Sequence, residues 1–256
     1  MILTVDIGNS NIVLGGVEDE RIVFEARLRT DSTKTSDEYC IDLKMILNVY
    51  GIEPTQIEGS IIGSVVPQVL NSLQTAIKKL TGKAALVVGP GLKTGLNIKI
   101  ENPAQTGADL VVGCVAALRE HAAPLIVVDM GTATTMVVLD ETGALIGGSI
   151  SPGVKISMDA LTEKAALLPG LQLDAPKKAI GRNTIDCMRS GIMLGAACML
   201  DGMVERMESE LGRKTTVVVT GGIAKFVIPM CKTPVIYDKD LLVKGLAILY
   251  RDNVRT

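Results

Sequence analysis

The sequence predicts a two-domain α/β protein in which one unit, a mixed sheet flanked by helices, has been duplicated. Three observations carry this. A strand-like apolar run leading into aspartate, an apolar residue and glycine occurs twice, as Val5-Asp6-Ile7-Gly8-Asn9-Ser10-Asn11 and as Val128-Asp129-Met130-Gly131-Thr132-Ala133-Thr134-Thr135. Each copy continues alike, with a second β-rich stretch (Ile12 to Val17; Met136 to Leu139), an acidic turn and a third apolar stretch. Further along each half, strand patterns alternate with helical ones, which requires a parallel component in the sheet.

The first three strands end in a polar loop from Leu28 to Glu38, where Thr35 or Ser36 caps a helix with acidic residues in its first turn. That helix, about Asp37 to Tyr50, places Tyr39, Leu43, Ile46, Leu47 and Tyr50 on one face and stops at Gly51. A strand from Gly59 to Val66, a helix from Val69 to Leu80 and a strand from Ala84 to Val88 follow. The second half predicts helices at Gly107 to Glu120, Ser151 to Ala166, Thr184 to Leu211 and Leu241 to Arg251. It also predicts strands at Thr215 to Thr220, which runs into Gly221-Gly222, and at Pro234 to Ile236. The boundary falls between Glu101 and Pro124, giving domains 1–115 and 116–256, with the last helix able to return to the first domain.

At 256 residues the chain can bury one large or two small cores. Hydrophobic residues make up 47% but aromatics 2%, so the core is built of aliphatic side chains and Met, a mix that suits buried strands. The net charge of -2 and the lack of a Lys/Arg run remove the electrostatic footprint of nucleic-acid binding. No apolar run reaches the roughly 18 to 20 residues that cross a bilayer, and the N-terminus enters a strand without a basic region, so neither membrane span nor signal peptide is expected. Cys40, Cys114, Cys187, Cys198 and Cys231 form no C-x-x-C pair, which predicts reduced, mostly buried thiols in a cytoplasmic protein. His121, the single histidine, falls at a helix end and lacks partners for catalysis or zinc.

The repeated turn suits phosphate. Glycine lets backbone approach an anion, and successive N–H groups with Asn, Ser or Thr side chains donate to its oxygens. An aspartate ending the strand repels phosphate and instead holds a cation or its water shell. Two facing copies would clamp one nucleotide. D-x-G is also an ordinary turn sequence, and its duplication is what favours the nucleotide reading. There is no G-x-x-x-x-G-K-[ST] loop, so the duplicated turns must do that loop's work. Thr220-Gly221-Gly222 ends a buried strand where backbone can approach a ribose or a flat ring. Asp109, early in a helix, either complements the helix dipole or accepts a proton from a substrate hydroxyl during phosphoryl transfer.

The pattern resembles the actin-like (ribonuclease H-like), sugar-kinase-like ATPase superfamily and, within it, the type III pantothenate kinases, also called the Bvg accessory factor family. The matching stretches run in family order: Asp6 to Asn11, Thr35 to Glu38, Ser64 to Pro67, Asn102-Pro103 with Gly107-Ala108-Asp109, Asp129 to Thr135, Ser151-Pro152-Gly153, Gly181 to Thr184 with Ser190-Gly191, and Thr220 to Gly222. The resemblance implies ATP-dependent phosphorylation of pantothenate, the first step toward coenzyme A. It further implies that Asp6, Ile7, Gly8, Asn9, Ser10, Asn11, Ile12 and Val13 form the first phosphate loop, with magnesium reached from Asp6 through water. Asp129 would bind a monovalent cation such as potassium or ammonium, and Thr132, Gly221 and Gly222 would contact ATP. Gly107, Ala108, Asp109, Leu110, Thr184 and Ile100 would line the pantothenate site, with Asp109 as proton acceptor, in a cytoplasmic homodimer whose interface completes the site. Two positions depart from the family: Leu110 stands where arginine is usual, and Ile100 where tyrosine is usual. Rival readings are another small-substrate kinase or polyphosphatase of the superfamily, a transcriptional accessory protein without kinase activity, and an ATP-driven conformational protein.

Overall fold

In the computed structural model, residues 1–165 and 167–254 are described, and they form two compact units. Unit 1 comprises Met1–Leu96, Glu101–Ala116 and Asp240–Thr256; unit 2 comprises Asn97–Ile100 and Ala117–Lys239.

In unit 1, β1 (Ile2–Ile7), β2 (Asn11–Glu18) and β3 (Arg21–Arg29) form an antiparallel meander. β4 (Gly59–Ser64) lies parallel to β1, and the two-residue β5 (Leu86–Val87) lies parallel to β4. The sheet order is β3-β2-β1-β4-β5. Unit 2 repeats it with β6 (Leu125–Met130), β7 (Ala133–Leu139), β8 (Leu145–Pro152), β9 (Thr216–Thr220) and β10 (Ile236–Tyr237), in the order β8-β7-β6-β9-β10 and with the same strand directions. Mixed sheets flanked by helices, present twice, are the predicted fold class.

Register explains why β1 alternates in two apolar directions. Leu3, Val5 and Ile7 join Ile12, Leu14, Ile62 and the helices α1 (Ser36–Val49) and α2 (Pro67–Thr81) in one core. A capping box starts α1: the Glu38 N–H donates to Thr35 Oγ1, and the Thr35 N–H to Glu38 Oε2 at 2.8 Å. Tyr39, Leu43 and Leu47 of its predicted stripe are buried, but Tyr50 is half exposed. It lies past the helix end and stacks on Phe24 at 4.8 Å, so it serves the sheet rather than the stripe.

The opposite face of the unit 1 sheet carries Gly15, Gly59 and Gly63, which lack the side chains that would hold a helix away. A Cβ at these positions would meet Val243, Tyr250 and Leu246 of the last helix, α8 (Leu241–Val254). Thus α8 docks on β1, β2 and β4, far from its sequence neighbours.

Unit 2 buries Ile126, Val128, Met130, Met136, Val217 and Val219 beneath a long helical stretch, Thr184–Leu211. That stretch contains α5 (Thr184–Arg189), a π-turn at Ser190–Leu194 and α6 (Gly195–Leu211). By length and composition it could cross a bilayer, a signal that runs of consecutive apolar residues do not reveal, yet Ile192, Met193, Ala197, Leu200 and Val204 are buried in the unit 2 core.

Several boundaries differ from the sequence reading. Ser151 and Pro152 pair with Thr134 and Ala133 at the end of β8, so α4 (Val154–Lys164) begins later than Ser151. The predicted end of that helix, Ala166, lies outside the described residues. β5 shortens to Leu86–Val87, β10 shifts to Ile236–Tyr237, and α7 (Ala224–Val227) was not expected after the paired glycines. The helix α3 (Ala108–Glu120) starts one residue after its expected position.

Candidate active site

The first Asp-Gly turn connects β1 to β2. Asp6, at the end of β1, is partly buried beside Gly63 of β4, its register partner. A Cβ on Gly63 would lie 3.8 Å from both Asp6 Oδ1 and Val112 Cγ2, so the carboxylate and α3 meet at ordinary contact distance over this glycine. The turn is closed by the Gly8 N–H donating to the Asn11 carbonyl at 3.0 Å. Thr30 organises the rest: its Oγ1 donates to the Gly8 carbonyl at 2.6 Å and its N–H to the Ser10 carbonyl at 3.1 Å. With those carbonyls engaged, the exposed Asn9, Ser10 and Asn11 present the polar tip of the turn. Ile7 and Ile12, by contrast, are fully buried core residues, and Ile12 is paired to Ile7 and Leu28 in the ladder. Their side chains anchor the two ends of the turn in the core. Val13 is partly buried on the α8 face.

The second turn is one residue shorter. Met130 pairs with Thr134, whereas Ile7 pairs with Ile12, and the Gly131 N–H donates to the Ala133 carbonyl at 3.0 Å. Gly153 backs this turn: its N–H donates to the Thr132 carbonyl at 3.1 Å, and a Cβ would press on the carbonyls of both Gly131 and Thr132. Thr132 and Asp129 are partly buried. Asp129 is level with Thr220 on β9, and Gly221 follows with φ of +100°. A Cβ at Gly221 would lie 2.6 Å from Asp129 Oδ1 and equally close to the Met130 backbone, so glycine is required there for both conformation and space. Gly222 is exposed. Sequence reasoning does not single out Thr30 for this site and gives Gly153 no role. Thr30 hides in a polar loop, and Gly153 matters only because β8 returns to the turn.

Asp109 opens α3. Its Oδ1 accepts the Leu110 N–H at 2.8 Å, and burial pushes its carboxyl above the usual range, partly opposed by that bond and by its own N–H. Gly107 lies against this carboxylate, where a side chain would collide with it. Two residues before the helix, Thr106 Oγ1 is buried with no hydrogen-bond partner among the described residues. Gly107, Ala108 and Leu110 are partly buried around it in sequence.

The remaining predicted substrate residues belong to unit 2. Ile100 is partly buried in a segment whose neighbour Lys99 donates its N–H to the Leu145 carbonyl at 2.8 Å. Thr184 is exposed at the first position of α5, capped by Asn183, whose Oδ1 accepts the Asp186 N–H at 2.9 Å. The π-turn at Ser190–Leu194 follows directly, a deformation that recurs at functional sites. Among the described residues no group of three or more His, Cys, Asp or Glu side chains forms a metal cage. The five cysteines are free thiols, but contrary to the expected burial only Cys114 is buried, while Cys187 and Cys198, on the outer side of the Thr184–Leu211 stretch, are exposed. Burial pushes the Cys114 thiol up to about 12, which makes it inert.

Comparison with known proteins adds to this geometry. The family model described as type III pantothenate kinase matches residues 2–206. The chain is similar to a type III pantothenate kinase from Halalkalibacterium halodurans, 42% identical over 254 residues, covering 99% of this chain and 100% of that one. A second, from an Exiguobacterium species, is 43% identical over 253 residues, covering 99% of each. Among solved structures, a Baf family protein from Campylobacter jejuni has a TM-score of 0.63 at 17% identity, covering 99% of this chain and 100% of that one, a likeness of fold alone.

Proposed function

The chain belongs to the type III pantothenate kinase family, and from that membership we propose how its site works. The enzyme transfers the γ-phosphoryl group of ATP to the primary hydroxyl of pantothenate, giving 4'-phosphopantothenate for coenzyme A synthesis. The observation that carries this is the match to type III pantothenate kinases at 42 to 43% identity along 99% of the chain.

The residues fit a nucleotide. Exposed Asn9, Ser10 and Asn11 and the glycines of both turns can donate to phosphate oxygens, and Thr132 lies beside Gly131 for the same purpose. Asp6 and Asp129 belong to no group of three or more metal-ligating side chains among the described residues, and carboxylates in that setting suit a hydrated cation shared with phosphate. Asp6 would hold magnesium through water, and Asp129 a monovalent cation. These ions would neutralise charge on the transferring phosphoryl group.

Asp109 accepts the proton of the attacking hydroxyl. Burial raises its proton affinity toward the working pH, which is what a general base requires. The unpaired Thr106 Oγ1 nearby in sequence offers a hydrogen bond that a substrate hydroxyl or carbonyl can complete. Gly107, Ala108, Leu110, Ile100 and Thr184 complete the substrate contacts. The enzyme works in the cytoplasm as a homodimer, a reading supported by the family and by free thiols.

The test is ADP release by purified protein with ATP, magnesium and potassium. Release that depends on added pantothenate is expected. Release unaffected by pantothenate, or none, would overturn the proposal.

A further inference from the structure

We propose that Phe226 and Tyr237 form a stacking platform for the purine base, so that the nucleotide lies across the carboxyl ends of β6, β9 and β10. The inference rests on the ATP-dependent reading above and deepens it.

Aromatic residues are scarce here: two Phe, four Tyr and no Trp in 256 residues. Each one in unit 1 has a structural task. Tyr39 is fully buried and its hydroxyl donates to the Asp31 carbonyl at 2.8 Å. Phe24 and Tyr50 stack on each other, and the Tyr50 hydroxyl donates to the Glu25 carbonyl at 2.8 Å. Tyr250 fills the space left by Gly59. The two in unit 2 differ. Phe226 is 36% and Tyr237 39% exposed. Neither is paired with another ring among the described residues.

Their placement follows from the topology. β6, β9 and β10 are neighbouring parallel strands that end together. β6 ends in the Gly131-Thr132 turn, β9 in Thr220-Gly221-Gly222, and β10 in Tyr237. Ligands of such sheets bind beyond the carboxyl ends of the strands. Neighbouring strands lie about 4.8 Å apart, so the three ends span about 10 Å, in the order phosphate turn, paired glycines, aromatic. That is the order of phosphate, ribose and base in a nucleotide. Tyr237 is the register partner of Val219, whose side chain shares a core with Ala224 and Val227 of α7. Tyr237 and α7, which carries Phe226, are therefore on the same side of the sheet. The Lys225 ammonium lies over the Phe226 ring, 4.9 Å from its centroid, and adds a positive charge beside the proposed base site.

The experiment compares ATP with CTP, whose smaller base stacks less. Phe226→Ala is expected to raise the KM for ATP by about fivefold or more and the KM for CTP by less, with kcat at saturating ATP retained. Tyr237→Ala should act in the same direction. Equal changes for both nucleotides, or none, would overturn the platform. Phe226→Trp supplies a second reading that does not rely on the truncated side chain: it introduces the sole tryptophan, and ATP should quench its fluorescence saturably at concentrations near the KM. No quenching would likewise overturn the proposal. Wild-type turnover of ATP is the control: if it is absent, the kinase reading fails, whereas turnover with unchanged nucleotide preference in the variants defeats the platform alone.

Discussion

Gly221 lies against the carboxylate of Asp129, so near that a methyl group on Gly221 would come within 2.6 Å of Asp129 Oδ1. The paired-glycine turn and the aspartate of the second turn are thus one structural piece, held by the pairing of β6 with β9. Gly221→Ala should both strain the backbone, whose φ is +100°, and displace the carboxylate. A stability loss of about 1–3 kcal/mol with a sharp fall in kcat/KM for ATP is expected. Gly89→Ala, where a methyl group meets nothing within 4 Å, is the control. Thermal melts and ATP kinetics of the two variants check this; equal, small effects would separate Gly221 from the site.

Asp109→Asn should lower kcat by about 100- to 10,000-fold while ATP affinity changes little, because the base acts on the acceptor. The same change should stabilise the fold near neutral pH. The folded-state pKa of Asp109 is raised by burial, so the folded chain holds this proton more tightly than the unfolded chain, and stability is lost as pH rises through the folded value. Asn removes that loss. Its gain should shrink as pH falls toward the unfolded carboxyl value, about 3.9. Melting temperatures of both proteins across pH 4 to 8 test the sign; an Asn variant less stable at pH 7 contradicts it.

Activity should require a monovalent cation in addition to magnesium, with Asp129→Asn weakening that requirement. Rates at fixed ionic strength in potassium, ammonium, sodium and a large organic cation provide the check. Identical rates in all four would argue against a specific site at Asp129.

By the family resemblance, Leu110 and Ile100 stand where an arginine and a tyrosine are expected. If they simply remove pantothenate contacts, binding weakens equally in ground and transition states, so KM rises and kcat holds. Ile100→Tyr with Leu110→Arg is then expected to lower the pantothenate KM and leave that for ATP unchanged. Both positions are partly buried. An arginine with no partner there would be costly, and a raised KM or loss of folding in the double variant would mean that the two apolar residues form a packing solution of their own.

Local signals were enough to read the duplicated Asp-x-Gly turns, the strands that lead into them, a helix cap at Thr35 or Ser36 and the helix stripe of Tyr39, Leu43 and Leu47. Each depends on residues a few positions apart, whose period and hydrogen-bonding capacity act within one turn or one strand. Tertiary structure decided what depends on distant segments. It set α8 on the glycine face of the first sheet, since an apolar helix does not name the surface that buries it. Pairing with β7 kept Ser151 and Pro152 in a strand. Burial raised the proton affinity of Asp109, and the bonds of Thr30 and Gly153 shaped the two turns from 20 or so residues away. A sequence carries the chemical identity of such groups, but desolvation and hydrogen-bond partners exist only once remote segments have closed around them.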